Sequence, residues 1–384
     1  MVAAATARVV QISSARGPIG AMIAGLPEWL KGSMRRLLLT LTLFVLPLLA
    51  PVQADELVLG RFGSYIESLR IQAGIPGVAA AIVGRTSIQW EQAFGEQDIA
   101  SRIAMRTDTP FSVDGLTEIF TAALVLRCVE EGSLSLDDHL EQFGAGEPDT
   151  DTTIREVLTH TSPSGESLVY AYRPERFGAL GTAVRLCSDD SYRETLGNLL
   201  ERLAMTDSVP GMDILQLEPP AEGIPDPVTL ERYAGVLERL ATPYSVDQRG
   251  RASESVYPSQ RLTPTSGLVS TVRDLAKFDL ALKDGVLLEP DTLASAWERP
   301  TGGGGRPLPH AMGWFTQEAE GETIVWQYGI GDDASSSLVV SLPEREITFI
   351  MLANSQGLVK PFSLEEGDVT VSPFVRLFLG LFAR

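Results

Sequence analysis

The sequence predicts an α/β fold in which one sheet is built from two distant parts of the chain. Strand-like stretches lie near residues 78–95 and recur after residue 312, whereas the region between them, about 111–289, is mostly helical in character. A sheet assembled from both ends with a helical region inserted gives an α/β sandwich with a helical lobe. We expect a cleft where the sheet and this lobe meet.

The N-terminal half of the sheet is predicted to follow a helix. Residues 55–73 carry apolar side chains at helical spacing, including Leu57, Phe62, Ile66 and Leu69. The turn GIPG at 74–77 then leads into a buried strand, 78–84, with 87–95 as its hairpin partner.

The C-terminal half is predicted to begin after a flexible glycine loop at 302–305. Four strand-like stretches follow, at 312–317, 322–329, 336–342 and 346–354. We expect the apolar segment 373–384 to be a helix packed on the sheet, with a membrane contact as the alternative. The sheet region would then comprise about 55–110 and 290–384.

The N-terminus has the pattern of an export signal. Two arginines follow Met34, residues 37–50 are mostly apolar, and Val52-Gln53-Ala54 is a small-residue cleavage site. The apolar run is shorter than the roughly 20 residues that cross a bilayer. We therefore predict a signal peptide at 34–54 and an exported, periplasmic or secreted chain, 55–384. The alternative is an uncleaved anchor, and residues 1–33 are expected to be an upstream extension foreign to the native protein.

The charge of the chain is strongly negative. It has 31 basic and 50 acidic residues, a net charge of −19. Removing residues 1–54 takes away five basic residues and one acidic residue, which leaves a net charge of −23. Such a charge argues against nucleic acid and anionic membranes as partners.

Cys128 and Cys187 are the only cysteines. Export makes a disulfide between them possible. Because Cys128 lies on an apolar helix face, we favour two small apolar residues on buried helix faces. Neither cysteine has the context of a nucleophile or a metal ligand.

Six segments in order resemble the serine beta-lactamase and penicillin-binding-protein-like hydrolases, closest to the class C and esterase-like branch. The resemblance covers almost all of residues 55–384 and implies a beta-lactamase/transpeptidase-like fold with an antiparallel sheet. The segments are GIPGVAAAIVG (74–84), 109–140, TTIREVLTHTS (152–162), 191–208, SGLVSTVRDLAKF (266–278) and HAMGW (310–314).

The family's first catalytic motif is S-x-x-K at the start of a helix, where the serine attacks a carbonyl carbon and the lysine assists its deprotonation. In the similar segment, FSVDGLTEIF, the serine position is Gly115 and the lysine position is Glu118. Glycine has no attacking group, and glutamate reverses the charge beside the reacting centre. No other register restores the motif, because none of the residues three before Lys31, Lys277, Lys283 or Lys360 is serine or threonine.

The other two motifs are also altered. The resemblance places Y-x-N at Tyr172-Arg173-Pro174, with Tyr170 as a nearby alternative for the tyrosine, and proline cannot supply the amide. It places the K-T-G or H-x-G triplet at Gln327-Tyr328-Gly329, which keeps the glycine but has no cation. Gln327 would still be able to hydrogen-bond a neutral ligand.

Other chemistry finds little support in the sequence. Ser112 and Thr117 flank the serine position but are expected to point elsewhere. The histidines His139, His160 and His310 show no metal-ligand spacing, and the resemblance implies that His160 is a structural helix end. The segment TGGGGRP lacks the lysine and helix of a phosphate loop. We expect no cofactor and no metal.

These observations favour an exported protein that has lost acyl transfer and acts as a binding or scaffold protein. Its cleft would take a cell-wall fragment, a peptide or another small molecule. The alternative is a divergent esterase, peptidase or beta-lactamase in which Glu118 or Tyr172 activates water. A further alternative is a protein that docks on an active paralogue and modulates it.

Overall fold

The computed structural model describes residues 50–144, 146, 149–218, 223–258 and 261–383. Residues 1–33 and most of the predicted signal peptide lie outside the described residues. The chain divides into a unit that ends at Gly60 and a second compact unit, Arg61–Arg384.

A seven-stranded antiparallel sheet joins the two ends of the chain, as predicted. The strand order is β11-β12-β13-β14-β1-β2-β3. Strand β14 pairs with β13 on one side and with β1 on the other, so that Met351 lies opposite both Leu338 and Ala80. The strands are β1 (Gly77–Val83), β2 (Ile88–Asp98), β3 (Ile103–Ala104), β11 (Phe315–Ala319), β12 (Glu322–Gly331), β13 (Ser335–Leu342) and β14 (Ile347–Ala353).

Nine α-helices lie in the described part of the chain. Thr153 and Ser191 each begin a helix with a capping box, in which a hydroxyl and a glutamate three residues on satisfy the first backbone N–H groups. The helices are α1 (Ala50–Gln72), α2 (Thr117–Glu130), α3 (Ile154–Leu158), α4 (Leu180–Ser188), α5 (Tyr192–Arg202), α6 (Pro227–Leu237), α7 (Val272–Lys283), α8 (Pro290–Ala296) and α9 (Pro373–Phe382).

The middle region also contains short strands that its sequence pattern does not reveal. They form a three-stranded sheet, β4-β10-β7, and two hairpins, β5-β6 and β8-β9. Strands of two to four residues are too short for an alternating pattern to identify them. They are β4 (Phe111–Ser112), β5 (Thr161–Ser164), β6 (Ser167–Tyr170), β7 (Val209–Pro210), β8 (Tyr244–Val246), β9 (Ala252–Glu254) and β10 (Leu268–Ser270).

Helix α2 lies at the centre of the main hydrophobic core. Residues on all sides of it are buried, including the polar Thr117, Glu118 and Thr121, and Phe120 packs on Phe278 of α7 with ring centroids 4.0 Å apart. A helix that is buried all round positions its first turn rigidly. The predicted C-terminal helix is α9, and its Phe378 stacks on Phe349 of β14. No helix in the described residues is long and apolar enough to span a bilayer.

The interpretation of the cysteines as two separate apolar residues is wrong. Cys128 of α2 and Cys187 of α4 form a disulfide, with Cα atoms 6.0 Å apart. They are 59 residues apart in the chain, and only the packing of α4 on α2 brings them together. The local pattern around Cys128 correctly indicates a buried helix face but carries no information about that partner.

Candidate functional site

The site begins at the turn that leads from β4 into α2. A single 3-10 turn, Asp114–Leu116, contains Gly115, and Glu118 follows in the first turn of the helix. Asp114 has a φ of +48°, and its buried carboxyl accepts hydrogen bonds from the hydroxyls of Ser112 (2.9 Å) and Ser335 (2.6 Å). These contacts fix the turn against β13 in a backbone conformation that side chains disfavour.

Gly115 and Gly329 allow the turn to press on strand β12. A β-carbon added to Gly115 would lie 2.8 Å from the carbonyl oxygen of Tyr328. One added to Gly329 would lie 2.2 Å from the carbonyl oxygen of Val113 and 2.7 Å from the amide nitrogen of Gly115. The obstructing atoms of Tyr328, Val113 and Gly115 belong to the backbone, and the side-chain hydroxyl of Ser337 lies 2.5 Å from the position added at Gly329. Neither glycine therefore admits a side chain without movement of the main chain.

A cleft of about 220 Å³ opens beside this contact. Five of the six predicted site residues line it: Gly115, Glu118, Tyr172, Pro174 and Gly329. The residues that the family resemblance singled out thus lie together around one cleft.

The remaining walls of the cleft come from two other segments. Thr265 and Ser266 precede β10, whereas Tyr328 and Ile330 belong to β12. The hydroxyls of Thr265 and Ser266 lie 2.9 and 3.2 Å from that of Thr263. Ser112 and Thr117, which flank Gly115, are buried and bond to Asp114, so they do not face the cleft.

Glu118 is a buried acid at the floor of the cleft. Burial raises the pKa of its carboxyl well above the ordinary value, and a hydrogen bond with the Tyr172 hydroxyl offsets only part of that rise. Its Oε2 atom lies 3.5 Å from the amide nitrogen of Gln327 and 3.7 Å from Nε2 of His160. Among the described residues, Oε1 has no hydrogen-bond partner of good geometry.

Two buried histidines accompany Glu118. Burial lowers the pKa of His160 to about 3, and burial and the neighbouring His160 hold the pKa of His310 well below its ordinary value. Their rings lie 4.4 Å apart. Because its lowered pKa leaves His160 neutral near pH 7, the 3.7 Å contact between Glu118 and His160 is not an ion pair.

Hydrogen bonds assign the tautomers of both rings. His160 accepts the backbone N–H of Arg173 at Nδ1, at 3.1 Å, so its proton is on Nε2 and faces Glu118. His310 donates from Nδ1 to the carbonyl oxygen of Ala311, at 2.7 Å, which leaves Nε2 to accept from Gln327 at 3.4 Å. The cluster is a set of neutral polar groups around one carboxyl.

Gln327 does not line the cleft, unlike the other five predicted residues. Its side chain is fully buried, and its amide nitrogen contacts Glu118, His310 and the carbonyl oxygen of Gly313. Its Oε1 atom accepts the N–H of Tyr328 at 2.9 Å. Protein groups thus already occupy the amide that the sequence left able to hydrogen-bond a neutral ligand.

Of the two candidate tyrosines, Tyr172 lines the cleft. Its ring packs on that of His160, with ring centroids 4.5 Å apart. Tyr170 does not line it, and its hydroxyl donates to the carbonyl oxygen of Glu365 at 2.8 Å. Burial raises the pKa of the Tyr172 hydroxyl, as does the nearby Glu118, so this hydroxyl is a proton donor at neutral pH.

The sequence interpretation missed the role of His160 and His310. His160 does follow the end of α3, as implied, but its φ of +50° turns the side chain into the cluster around Glu118. Both histidines lie in segments that resemble the family, LTHTS and HAMGW. That resemblance was the one sequence signal that could have pointed to them. His139 is at the surface and bonds the carbonyl oxygen of Asp151. The described residues contain no group of three or more acidic, histidine or cysteine side chains arranged for a metal ion.

Comparisons with known proteins identify the family of the chain. The family model "Beta-lactamase" matches residues 62–367. A D-aminopeptidase of Brucella ovis is 36% identical over 90 residues, which is 23% of this chain and 17% of the relative. Protein flp of Staphylococcus aureus is 23% identical over 318 residues, which is 76% of this chain and 62% of the relative. The chain thus matches less than two thirds of the length of either curated relative.

Solved structures show the same fold. The penicillin-binding protein homologue from Pyrococcus abyssi superposes with a TM-score of 0.65 at 21% identity, covering 78% of this chain and 74% of that one. D-alanine carboxypeptidase AmpC from Burkholderia cenocepacia also gives a TM-score of 0.65, at 18% identity, covering 85% of this chain and 99% of that one. The chain belongs to the Beta-lactamase family.

Proposed function

We propose that this protein is an exported member of the family that no longer carries out serine acyl transfer and that binds a ligand in the cleft. One observation carries the proposal: the nucleophile position is Gly115, and the carbonyl oxygen of Tyr328 occupies the space where a side chain would begin. Covalent catalysis needs an attacking group within reach of a base. Neither is supplied at this position.

The surroundings of Gly115 support the same conclusion. The lysine position holds Glu118, a buried acid whose pKa is raised. Gln327, at the position of the strand cation, is fully buried and bonded to the protein. Pro174, at the amide position, has no N–H and no side-chain donor. An anionic transition state would therefore meet no cation from these three positions.

The ligand is proposed to be a cell-wall fragment, a peptide or a similar small molecule of the envelope. The name of one relative, the D-aminopeptidase of Brucella ovis, supports this class. Export is supported by the pattern at 34–54 and by the disulfide between Cys128 and Cys187, which is typical of oxidising compartments. N-terminal sequencing of the exported protein is expected to begin at Asp55. A chain that retains residues 34–54 would instead indicate an anchor.

The experiment for the loss of acyl transfer is covalent labelling. The purified protein is incubated with a fluorophosphonate probe and, separately, with a chromogenic lactam, beside a heat-denatured sample and an active penicillin-binding protein. We expect no labelling and no turnover above the denatured sample. Labelling of the folded protein alone would refute the proposal.

A second candidate function is hydrolysis in which Glu118 activates water. The observation in its favour is a buried carboxyl with a raised pKa at the floor of the cleft, next to His160. Activity on a panel of esters, lactams and D-amino peptides that disappears in Glu118→Gln would support it. Inactivity across the panel would leave the binding function as the remaining proposal.

A further inference from the structure

The cleft has an acidic floor and no basic side chain on its walls. Glu118 is the only carboxyl among the residues that line it, and those residues include no lysine, arginine or histidine. The net charge of −23 after removal of residues 1–54 makes the surroundings negative as well. The field in such a cleft disfavours anions and draws in cations.

The Glu118 carboxyl is incompletely satisfied. Its side chain is 1% exposed, and Oε1 has no well-placed hydrogen-bond partner in the described part of the structure. Besides the hydrogen bond with the Tyr172 hydroxyl, the carboxyl has contacts to Oε2 at 3.5 and 3.7 Å, which are long for hydrogen bonds. A buried acceptor without a partner is costly, and a donor on a ligand would satisfy it.

Two aromatic rings flank the same region. The centroids of Tyr172 and Tyr328 are 6.0 Å apart, with ring planes inclined by 32°, and both residues line the cleft. A cation within about 6 Å of a ring centroid is attracted by the face of the ring. A carboxyl at the floor beside two tyrosine rings is a suitable environment for an organic cation.

We propose that the cleft binds the ammonium group of a ligand, with Glu118 as its counter-ion and with Tyr172 and Tyr328 as aromatic walls. This inference rests on the proposed function as a non-covalent binding protein and names the ligand class. Free amines occur on peptides and on amino sugars, and the ammonium group is the chemistry they share. Because burial raises the pKa of the Glu118 carboxyl, an ammonium ion that favours the ionised carboxylate promotes release of its proton to the solvent.

The test uses three probes that share one ring and differ in the head group: benzylamine, benzyl alcohol and benzoate. Isothermal titration calorimetry of the purified protein at constant ionic strength is expected to give roughly tenfold tighter binding of benzylamine than of benzyl alcohol. Benzoate is expected to bind more weakly than the alcohol. Equal affinities for the amine and the alcohol, or absence of binding by all three, would overturn the inference.

Two matched variants distinguish an effect of the Glu118 carboxyl from an effect of the overall negative charge. Glu118→Gln is expected to abolish the preference for the amine over the alcohol. Glu365→Gln removes an exposed acid near Tyr328 and is expected to retain that preference. A preference that survives in Glu118→Gln, or that disappears equally in both variants, would contradict the assignment of Glu118.

Proton release provides a measurement that needs no variant. Calorimetry of benzylamine binding in two buffers of different ionisation enthalpy, near neutral pH, is expected to show proton release, because the ammonium ion favours the ionised form of a carboxyl whose pKa is raised by burial. Other titratable groups around Glu118 stay neutral there, because their pKa values are shifted away from neutrality: His160, His310, Tyr170, Tyr172 and Tyr328. Binding without proton release would count against the carboxyl as counter-ion. Fluorophosphonate labelling, by contrast, would refute the loss of acyl transfer without changing the outcome for amines.

Discussion

The backbone at Gly115 faces the carbonyl oxygen of Tyr328 so closely that a β-carbon would lie 2.8 Å from it. The turn before α2 is thus packed against β12 by main chain on main chain. Restoring a serine by mutation would have to move one of these two segments. The change at this position therefore concerns the shape of the site as well as its chemistry.

Adding a side chain at Gly115 is expected to destabilise the fold. Both Gly115→Ala and Gly115→Ser should lower the free energy of unfolding by about 1–3 kcal/mol, because each adds a β-carbon to a packed backbone contact. Urea unfolding of each variant measures this change in the free energy of unfolding. Gly235, exposed on α6 with open space around it, is the control, and Gly235→Ala should raise stability by about 0.5–1 kcal/mol. An unchanged stability of Gly115→Ser would show that the turn has room for the serine.

A larger effect is expected at Gly329. Its added β-carbon would lie 2.2 Å from the Val113 carbonyl oxygen, closer than the obstruction at Gly115. Gly329→Ala should therefore destabilise the protein more than Gly115→Ala does, as measured in the same urea series. The reverse order would mean that β12 yields more easily than the turn.

The protonation of Glu118 predicts how stability depends on pH. Its pKa in the folded protein is raised above the ordinary value of 4.5, so the folded state holds the proton more tightly than the unfolded chain does. This contribution is complete below the unfolded pKa and is lost as pH rises through the folded pKa. Relative to Glu118→Gln, which cannot ionise, the wild-type protein should lose stability as the pH rises from the unfolded pKa of 4.5 through the raised pKa of the folded state. Thermal unfolding of the pair gives the difference, and a constant difference in Tm would show that Glu118 titrates normally.

The disulfide between Cys128 and Cys187 should contribute strongly to stability. It closes a loop of 59 residues, for which the loss of chain entropy in the unfolded state corresponds to about 4 kcal/mol. The double variant Cys128→Ala with Cys187→Ala is expected to unfold at lower urea concentration, and a reducing agent should have the same effect on the wild-type protein only. If the reducing agent lowers the stability of both proteins equally, the disulfide is not its target.

The fold was more predictable from the sequence than the site. Strands β1, β2, β12, β13 and β14 are long enough for their apolar patterns to identify them within a few residues. The predicted strand at 312–317 begins three residues before β11, because Gly313 and its neighbours form a loop whose apolar side chains are buried. Such burial gives the hydrophobic pattern of a strand without its hydrogen bonds.

The sequence predicted only those parts of the site that lie within one local segment. The positions Gly115 and Glu118 follow from one local segment. The cluster around Glu118 instead joins His160, His310 and Gln327, which come from three distant segments. The burial of Gln327 and the contact of Gly115 with Tyr328 are likewise tertiary features. No local pattern encodes them.

The most direct test of the loss of acyl transfer is the intact mass of the folded, exported protein after incubation with a beta-lactam and, separately, with a fluorophosphonate. An active penicillin-binding protein treated in parallel shows that both reagents work. An unchanged mass is expected, because the position of the nucleophile has no side chain and no space for one. A covalent adduct on the folded protein, located on any residue of the cleft, would contradict it.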